Sequence, residues 1–592
     1  MPESVQPARA AGGAIGTSAG PVNAGSPNVP PNVPPNVPPN VTATGVAVHG
    51  HRPVRPTLVI AVFCLGLFMT LLDITIVNIA IPDLVTDLDA TLETVLWVGS
   101  AYSLVYTVLL ITAGRLGDIH GPRRLFLIGL NIFTVASLAS GLSQTPGQLI
   151  AFRALQGLGA ALLAPQGLAI ITSILPSEKR GPAFAAIGIM SGLGVLFGPT
   201  LGGFLVTNFG WRWIFFLNVP IGIVAIALAF AFMPDVRPGV RHKLDVLGVA
   251  LLTVGLLGVV FGLIEGQRYD WGTVVGFVTI PMIIAVGVVF LGLFLWRQAR
   301  TQQGEPLLPF AVFADRSFTI MTLVLLAMGF AMVGIFLPMT IYYQSVLGLS
   351  AVAAGLVMGT QSVAMMFTSG VVGGLSGSGR ISMKWVLFGG LLLFAAGMIY
   401  VIAVAEPDSG QWAFVPGLVA AGIGLGCVWT PVFGLATRDM PPARAGVGAG
   451  VLDTLQEFGA VLATAVLGAL LANRLTDAMR TQAEAATAGL PAEAREPFLA
   501  GMSTAGSGGL EVGAGQAAAA IPDSVPGPVA EQIHAVAQQA FATAFTDAMR
   551  PTMLVPLVVI VLAAVAVLFV RNRPVAPDRV VEPSLDPEPA ST

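Results

Sequence analysis

Polar and apolar positions are segregated along this chain rather than interleaved. Between about residues 57 and 571, fourteen apolar stretches of roughly twenty residues follow one another, parted by polar turns. A stretch of that length crosses a hydrocarbon core as a helix, which bonds its own backbone groups where water is missing. Six spans are predicted near 57–80, 93–113, 125–142, 148–172, 183–207 and 213–233. Two follow near 244–264 and 273–296, then six near 317–339, 351–373, 383–404, 412–436, 446–471 and 551–571. The grouping is six, two, six, and the fold class is an all-α polytopic membrane protein.

Three segments break this pattern. Residues 1–56 are rich in Pro, Gly and Ala and carry an NVPP repeat over 28–39. They hold too few apolar side chains for a core and are predicted disordered. Residues 572–592 form a second polar tail. Between the last two spans, residues 473–550 make a long extramembrane connection whose ends nearly duplicate each other, Thr476-Asp477-Ala478-Met479-Arg480 and Thr546-Asp547-Ala548-Met549-Arg550. The last two helices are expected to extend and pack together there, with a flexible middle around 503–515. The insertion reads as a spacer or as a substrate or partner site.

Only 10% of residues are charged, which excludes an ordinary soluble domain. Their distribution orients the chain. With the amino terminus in the cytoplasm, nearly all loop cations fall inside, among them Arg115, Arg123, Arg124, Lys179, Arg180, Arg297, Arg300 and Lys384. The outer loops carry Arg212 and Arg268 and little else. This positive-inside pattern predicts both termini in the cytoplasm. Abundant Ala and Gly, with more Arg than Lys, suggest a bacterial cell membrane. No cleavable signal peptide is expected, because the first apolar run starts late and is long enough to span. Cys64 and Cys427 lie within spans and read as apolar packing. The five histidines are scattered, so no metal site is expected, nor any cofactor. No phosphate-binding loop surrounds any lysine, so ATP is not the direct energy source.

Chemistry must then come from ionisable groups at membrane depth. Asp73, in the first span, costs about 3 kcal/mol there by insertion scales unless it faces a partner or a wet cavity. It is either a functional carboxylate or a polar packing group. Asp453 and Glu457 lie four apart in the thirteenth span, so they share a face. Two acids there repel each other and lack water, which suits reversible protonation or attraction of a cation. The alternative is a packing pair satisfied by hydroxyls or water.

Several runs resemble motifs of one family. Gly114-Arg115-Leu116-Gly117-Asp118-Ile119-His120-Gly121-Pro122-Arg123-Arg124, between spans two and three, resembles motif A of the major facilitator superfamily, a cytoplasmic gating latch. His120 and Pro122 depart from the family pattern. Leu71-Leu72-Asp73-Ile74-Thr75-Ile76-Val77-Asn78 is similar to the helix-1 motif of the fourteen-helix drug:proton antiporter branch. Arg153-Ala154-Leu155-Gln156-Gly157 resembles motif B, whose arginine is implicated in proton coupling. Asp73 and Arg153 sit at similar depths, about 10 and 8 Å inside the outer ends of their helices, so they can meet. Gly194, Gly198, Pro199 and Gly202 fall in a stretch that resembles motif C, the antiporter motif. By physics alone that stretch is a close-packing seam with a kink. Trp211-Arg212-Trp213-Ile214-Phe215-Phe216-Leu217-Asn218 again looks like the fourteen-helix branch, with both tryptophans expected at the membrane interface. The family commonly shows Asn and then Arg-Gln where Asp453, Gln456 and Glu457 stand. A degenerate motif A without its aspartate occurs at 373–380.

The resemblance implies an N-terminal six-helix bundle over 57–233, two linker helices over 244–296 and a C-terminal six-helix bundle over 317–571. Alternating access would arise from rocking of one bundle against the other. The implied function is proton-coupled export of lipophilic, possibly cationic, drugs, with Asp73, Arg153, Asp453 and Glu457 coupling protons. An Asp73→Asn chain is expected to fold and to lose pH-coupled efflux. The expected partners are a small-molecule substrate, protons and the lipid bilayer, with no nucleic acid, and the chain is expected to be a monomer and not an enzyme. Export of an endogenous metabolite, antibiotic or lipid, and a non-transporting scaffold, are the competing readings.

Overall fold

A computed structural model describes residues 48–49, 54–236, 243–376, 381–487, 495, 498–499 and 527–571. Most of both tails, the middle of the insertion around 503–515 and the end of the degenerate motif at 377–380 lie outside the described residues.

Among the described residues, fourteen helices are long and apolar enough to cross a membrane. The first six are α1 (Pro56–Asp87), α2 (Thr94–His120), α3 (Pro122–Gly141), α4 (Pro146–Ile174), α5 (Ser177–Phe209) and α6 (Arg212–Phe232). The central pair is α7 (Val246–Glu265) and α8 (Ile280–Thr301). The last six are α9 (Arg316–Val346), α10 (Val352–Ser376), α11 (Met383–Val404), α12 (Gln411–Ala436), α13 (Ala445–Ala486) and α14 (Ala535–Leu568). The ends follow local chemistry. Thr91 caps α2 by accepting from Thr94 N–H at 3.2 Å, and Thr145 caps α4 by accepting from Gln148 N–H at 3.3 Å. Gly121, at φ +93°, makes the tight reversal between α2 and α3, with Pro122 starting the next helix.

Within the first six helices, α4 packs on α2 and α3, and α1 packs on α5 and α6. In the last six, α9 packs on α13 and α14, and α12 on α10 and α11. The two sets meet along α5 with α10 and along α2 with α13. Linker helices α7 and α8 form a hairpin in which α7 touches α2 and α13. The apolar window of α4 is 89% buried and that of α8 only 17%, so α4 is central and α8 peripheral. Phe230 and Phe367 are exposed, as suits side chains solvated by lipid tails.

Helices α13 and α14 both run well past membrane length and pack side by side, with Gln482 donating to Asp547 at 3.4 Å. Strand β1 (Val48–His49) pairs antiparallel with β2 (Asp235–Val236), so two residues of the tail predicted disordered have a backbone partner. Trp211 also departs from expectation: it is buried and donates through Nε1 to Asp87 at 3.1 Å, whereas Trp213 is exposed. The indole of Trp211 is held by a carboxylate rather than by the membrane interface.

Candidate functional site

Apolar neighbours on α1 turn Asp73 toward the protein, where it is fully buried. Arg153 of α4 forms an ion pair with Oδ2. Gln156 donates to Oδ1 at 2.8 Å and Asn218 of α6 to the same oxygen at 2.9 Å. Arg153 and Gln156 are three apart and share one face of α4. The guanidinium also donates to the Val98 carbonyl at 3.1 Å and to Gln156 Oε1 at 2.8 Å, and lies over the Tyr102 ring, 4.4 Å from its centroid. Burying two charges is costly, and this set of bonds offsets the cost by satisfying both partners.

The glycine row of α5 sets where Asp73 stands. A Cβ added at Gly194 would lie 2.8 Å from Leu71 Cβ, and one at Gly202 would lie 2.7 Å from Ile76 Cγ1. At Gly198 it would strike Thr75. The Thr75 hydroxyl donates to the Gly194 carbonyl at 3.1 Å. The backbone of α5 thus lies directly against the residues flanking Asp73. Pro199 points the other way, toward Gly355 of α10, where an added Cβ would be 3.2 Å from it.

A second cluster lies at the end of the molecule that gathers Arg123, Arg180, Lys384 and Arg444, the basic face. Asp118 is buried and accepts from the N–H groups of Gly446 and Val447, each at 2.9 Å. These are orphan donors of the first turn of α13, where the helix dipole is positive. Gly114 has no room for a side chain, because a Cβ would strike the Gly446 carbonyl. Arg115 is buried beside Asp118, with its Nε unpartnered among the described residues. Arg123 donates to the Phe230 carbonyl at 2.9 Å near the end of α6, and Arg124 is exposed. Arg180 reaches across in the other direction and donates to the Thr437 carbonyl at 2.8 Å.

Asp453 and Glu457 stand apart from the Asp73 network. Both are half-buried within the helix bundle, so each keeps part of its surface accessible. The structure therefore joins Asp73 with Arg153 and leaves the α13 acids as a separate pair on the other set of helices. An apolar groove of 710 Å³ between α5, α10 and α12, lined by Leu196, Val363 and Phe367 among others, holds no ionisable group. Among the described residues no cluster of His, Cys, Asp or Glu could hold a metal ion.

A sequence model of the Major Facilitator Superfamily matches residues 63–464. The chain belongs to the Major Facilitator Superfamily. That is a family of transporters, not enzymes. The tetracenomycin C resistance and export protein of Streptomyces glaucescens is 34% identical over 543 residues, covering 91% of this chain and 95% of that one. Multidrug resistance protein Stp of Mycobacterium tuberculosis is 33% identical over 427 residues, covering 71% and 77%. The uncharacterized MFS-type transporter Rv1250 of the same species is 39% identical over 453 residues, covering 74% and 76%. Among solved structures, the human organic anion transporter MFSD10 (TETRAN) superposes with a TM-score of 0.52 at 14% identity, over 86% of this chain and 100% of that one. The chain is thus a multi-pass membrane transporter of the superfamily fold, related to bacterial drug and antibiotic efflux proteins.

Four residues of the two clusters were not singled out by sequence reasoning. Gln156 and Asn218 are amides at membrane depth, and that depth was the available signal. Tyr102 carries no signal beyond helical spacing from Arg153's partners. Arg180 was counted only as a loop cation.

Proposed function

We propose that this transporter exports lipophilic, cationic compounds in exchange for protons. One observation carries the reading: two carboxylates, Asp453 and Glu457, share one face of α13 at membrane depth, each partly accessible, while the cations of that helix, Arg474 and Arg480, lie beyond the span predicted over 446–471. Such a pair either holds a proton or attracts a cation, and competition between the two is the essence of exchange. The buried Asp73–Arg153 pair is the second coupling element, its charges compensating each other until one is protonated or displaced. The names of the tetracenomycin C and Stp relatives support drug or antibiotic cargo. The basic face is cytoplasmic, as are both termini, and the bonds from Asp118 and Arg180 close that side. The membrane is that of a bacterial cell, and the working unit is a monomer.

The test is reconstitution into liposomes with an imposed pH gradient. Uphill movement of ethidium or a similar lipophilic cation, with matching proton flux, is expected. A gradient-independent leak, or no movement across a broad set of cations, would overturn the reading. The tetracenomycin C relative also favours an endogenous antibiotic as cargo, and competition of such a compound with ethidium distinguishes that case.

A further inference from the structure

Asp73 draws its donors from two helices, and the two sides differ. Arg153 and Gln156 share one face of α4 and bind each other as well as the carboxylate. Asn218 comes from α6, about 9 Å from its outer end, close to the depths of Asp73 and Arg153. Its Nδ2 donates to Asp73 Oδ1 at 2.9 Å and to Ser137 Oγ of α3 at 3.2 Å. Ser137 in turn donates to the Phe215 carbonyl at 2.9 Å, beside the interruption of α6 at Leu217. At Gly222, one turn on, an added Cβ would strike Thr134, so α3 lies tight against this part of α6. Both amide protons are thus committed. The amide oxygen is not: Asn218 is 1% exposed, and Oδ1 has no hydrogen-bond partner among the described residues. A buried amide oxygen left bare is a standing cost, one that a leucine of similar volume would remove. Reversing the amide gives no relief, because Oδ1 would then stand against a carboxylate oxygen. Packing alone therefore does not account for an asparagine here; what its nitrogen does for Asp73 accounts for it.

We propose that Asn218 is a positioning residue for proton exchange: anchored on Ser137, its amide favours the ionised form of Asp73 and so sets the pH at which that carboxylate takes up a proton. The inference rests on the reading of the Asp73–Arg153 pair as a coupling element. An N–H donates a stronger bond to an ionised carboxylate than to a neutral carboxyl, so the amide opposes protonation. Asn218 keeps both of its own protons, and the proton that Asp73 gains comes from water and returns to water. Two other groups face Asp73 at this depth. Arg153 of α4 also favours the ionised form, and Tyr102 of α2 covers the guanidinium. The remaining charges of the helices around Asp73 lie at their ends: Glu178, Lys179 and Arg180 on α5, Arg212 on α6, Asp83 and Asp87 on α1. Cys64 lies toward the basic end of α1. Asn218 thus ties the proton affinity of Asp73 to the packing of α6 on α3, independently of the ion pair with α4.

The test uses the full chain with Asn218→Leu, Ser137→Ala and Asp73→Asn. Infrared difference titration of the purified protein follows the carboxyl band that Asp73→Asn removes, without needing a cargo. In Asn218→Leu that band is expected to persist to a pH about one unit higher, a tenfold gain in proton affinity. Ser137→Ala is the milder variant; it frees the amide to turn and should move the band the same way by less. In liposomes the pH profile of ethidium efflux should follow the band. Thermal unfolding separates this role from packing: Asn218→Leu should melt close to the parent, since relief of the bare oxygen offsets the lost bond. A band unmoved, or moved to lower pH, in both variants would overturn the inference, whatever the melting temperature. A parent that shows no Asp73 band at any pH would remove the coupling role of Asp73 and the inference with it. A shifted band in a protein that moves no ethidium would overturn the transport reading alone.

Discussion

Arg180, at the start of α5, donates to the carbonyl of Thr437, just past the end of α12, at 2.8 Å, and this bond joins the two bundles. The same guanidinium holds the Leu175 and Thr172 carbonyls of its own bundle, each at 2.9 Å. A buried cation thus meets the negative end of α12, while Asp118 meets the positive end of α13. The connection between those helices is held at both ends by charges from the first bundle.

Removing the guanidinium with Arg180→Met should therefore favour opening at the basic face. A charge-assisted bond is worth about 1.5–3 kcal/mol, so the open population should rise about tenfold or more. Maleimide labelling of a Thr454→Cys probe in a chain lacking Cys64 and Cys427 reads that opening. An unchanged labelling rate would show that Asp118 alone closes the face.

The Asp73 network changes what its substitution should do. Asp73→Asn leaves Arg153 buried and uncompensated, so the variant should lose about 3 kcal/mol of stability rather than keep its fold intact. Arg153→Gln should cost a similar amount, and the double variant less than the sum of the two. Thermal unfolding in detergent measures all three, and strict additivity would contradict the pairing.

The fold was legible because its signals are repeated: fourteen apolar runs, each long enough to span, leave little choice of architecture. The pairing of Asp73 with Arg153 was legible through depth along two helices. Asn218 and Gln156 were not, since an amide at depth announces a need for partners without naming them. The role of the α5 glycines was half legible. Spacing by four predicts a close approach, but that the approach is to Leu71, Thr75 and Ile76, either side of Asp73, is a property of packing. Arg180 was hidden among loop cations, because its acceptors are backbone carbonyls, which every sequence supplies.

Glu457→Gln keeps volume and removes the charge that a cation would seek. Export of lipophilic cations such as ethidium should fall at least tenfold, while neutral cargo of similar size should change little. Parallel efflux assays with a cationic and a neutral dye decide this, and equal loss of both would reject a charge-selecting role for the acid.

The linker hairpin carries its own pH-dependent fastening. Asp245 caps α7 by accepting from Gly248 N–H at 2.9 Å, and it also accepts from Arg297 of α8 at 2.8 Å and Gln298 at 2.9 Å. Burial pushes its carboxyl up, but the bonds from Arg297, Gly248 and Gln298 outweigh burial and hold it below its ordinary value of 3.8. The folded chain thus binds that proton less tightly than the unfolded chain. The stabilisation is fully present above the ordinary value and disappears as pH falls through the lowered one. Asp245→Asn retains a capping side chain but loses the charge, and should cost about 1 kcal/mol near neutral pH, a modest figure because Arg297 is about one-third exposed. Protease susceptibility of the α7–α8 connections, followed from pH 7 downward, should show a constant difference between variant and parent until about pH 4 and convergence below it. A difference that persists undiminished at pH 2.5 would mean that the cap geometry, not the charge of Asp245, fastens the hairpin.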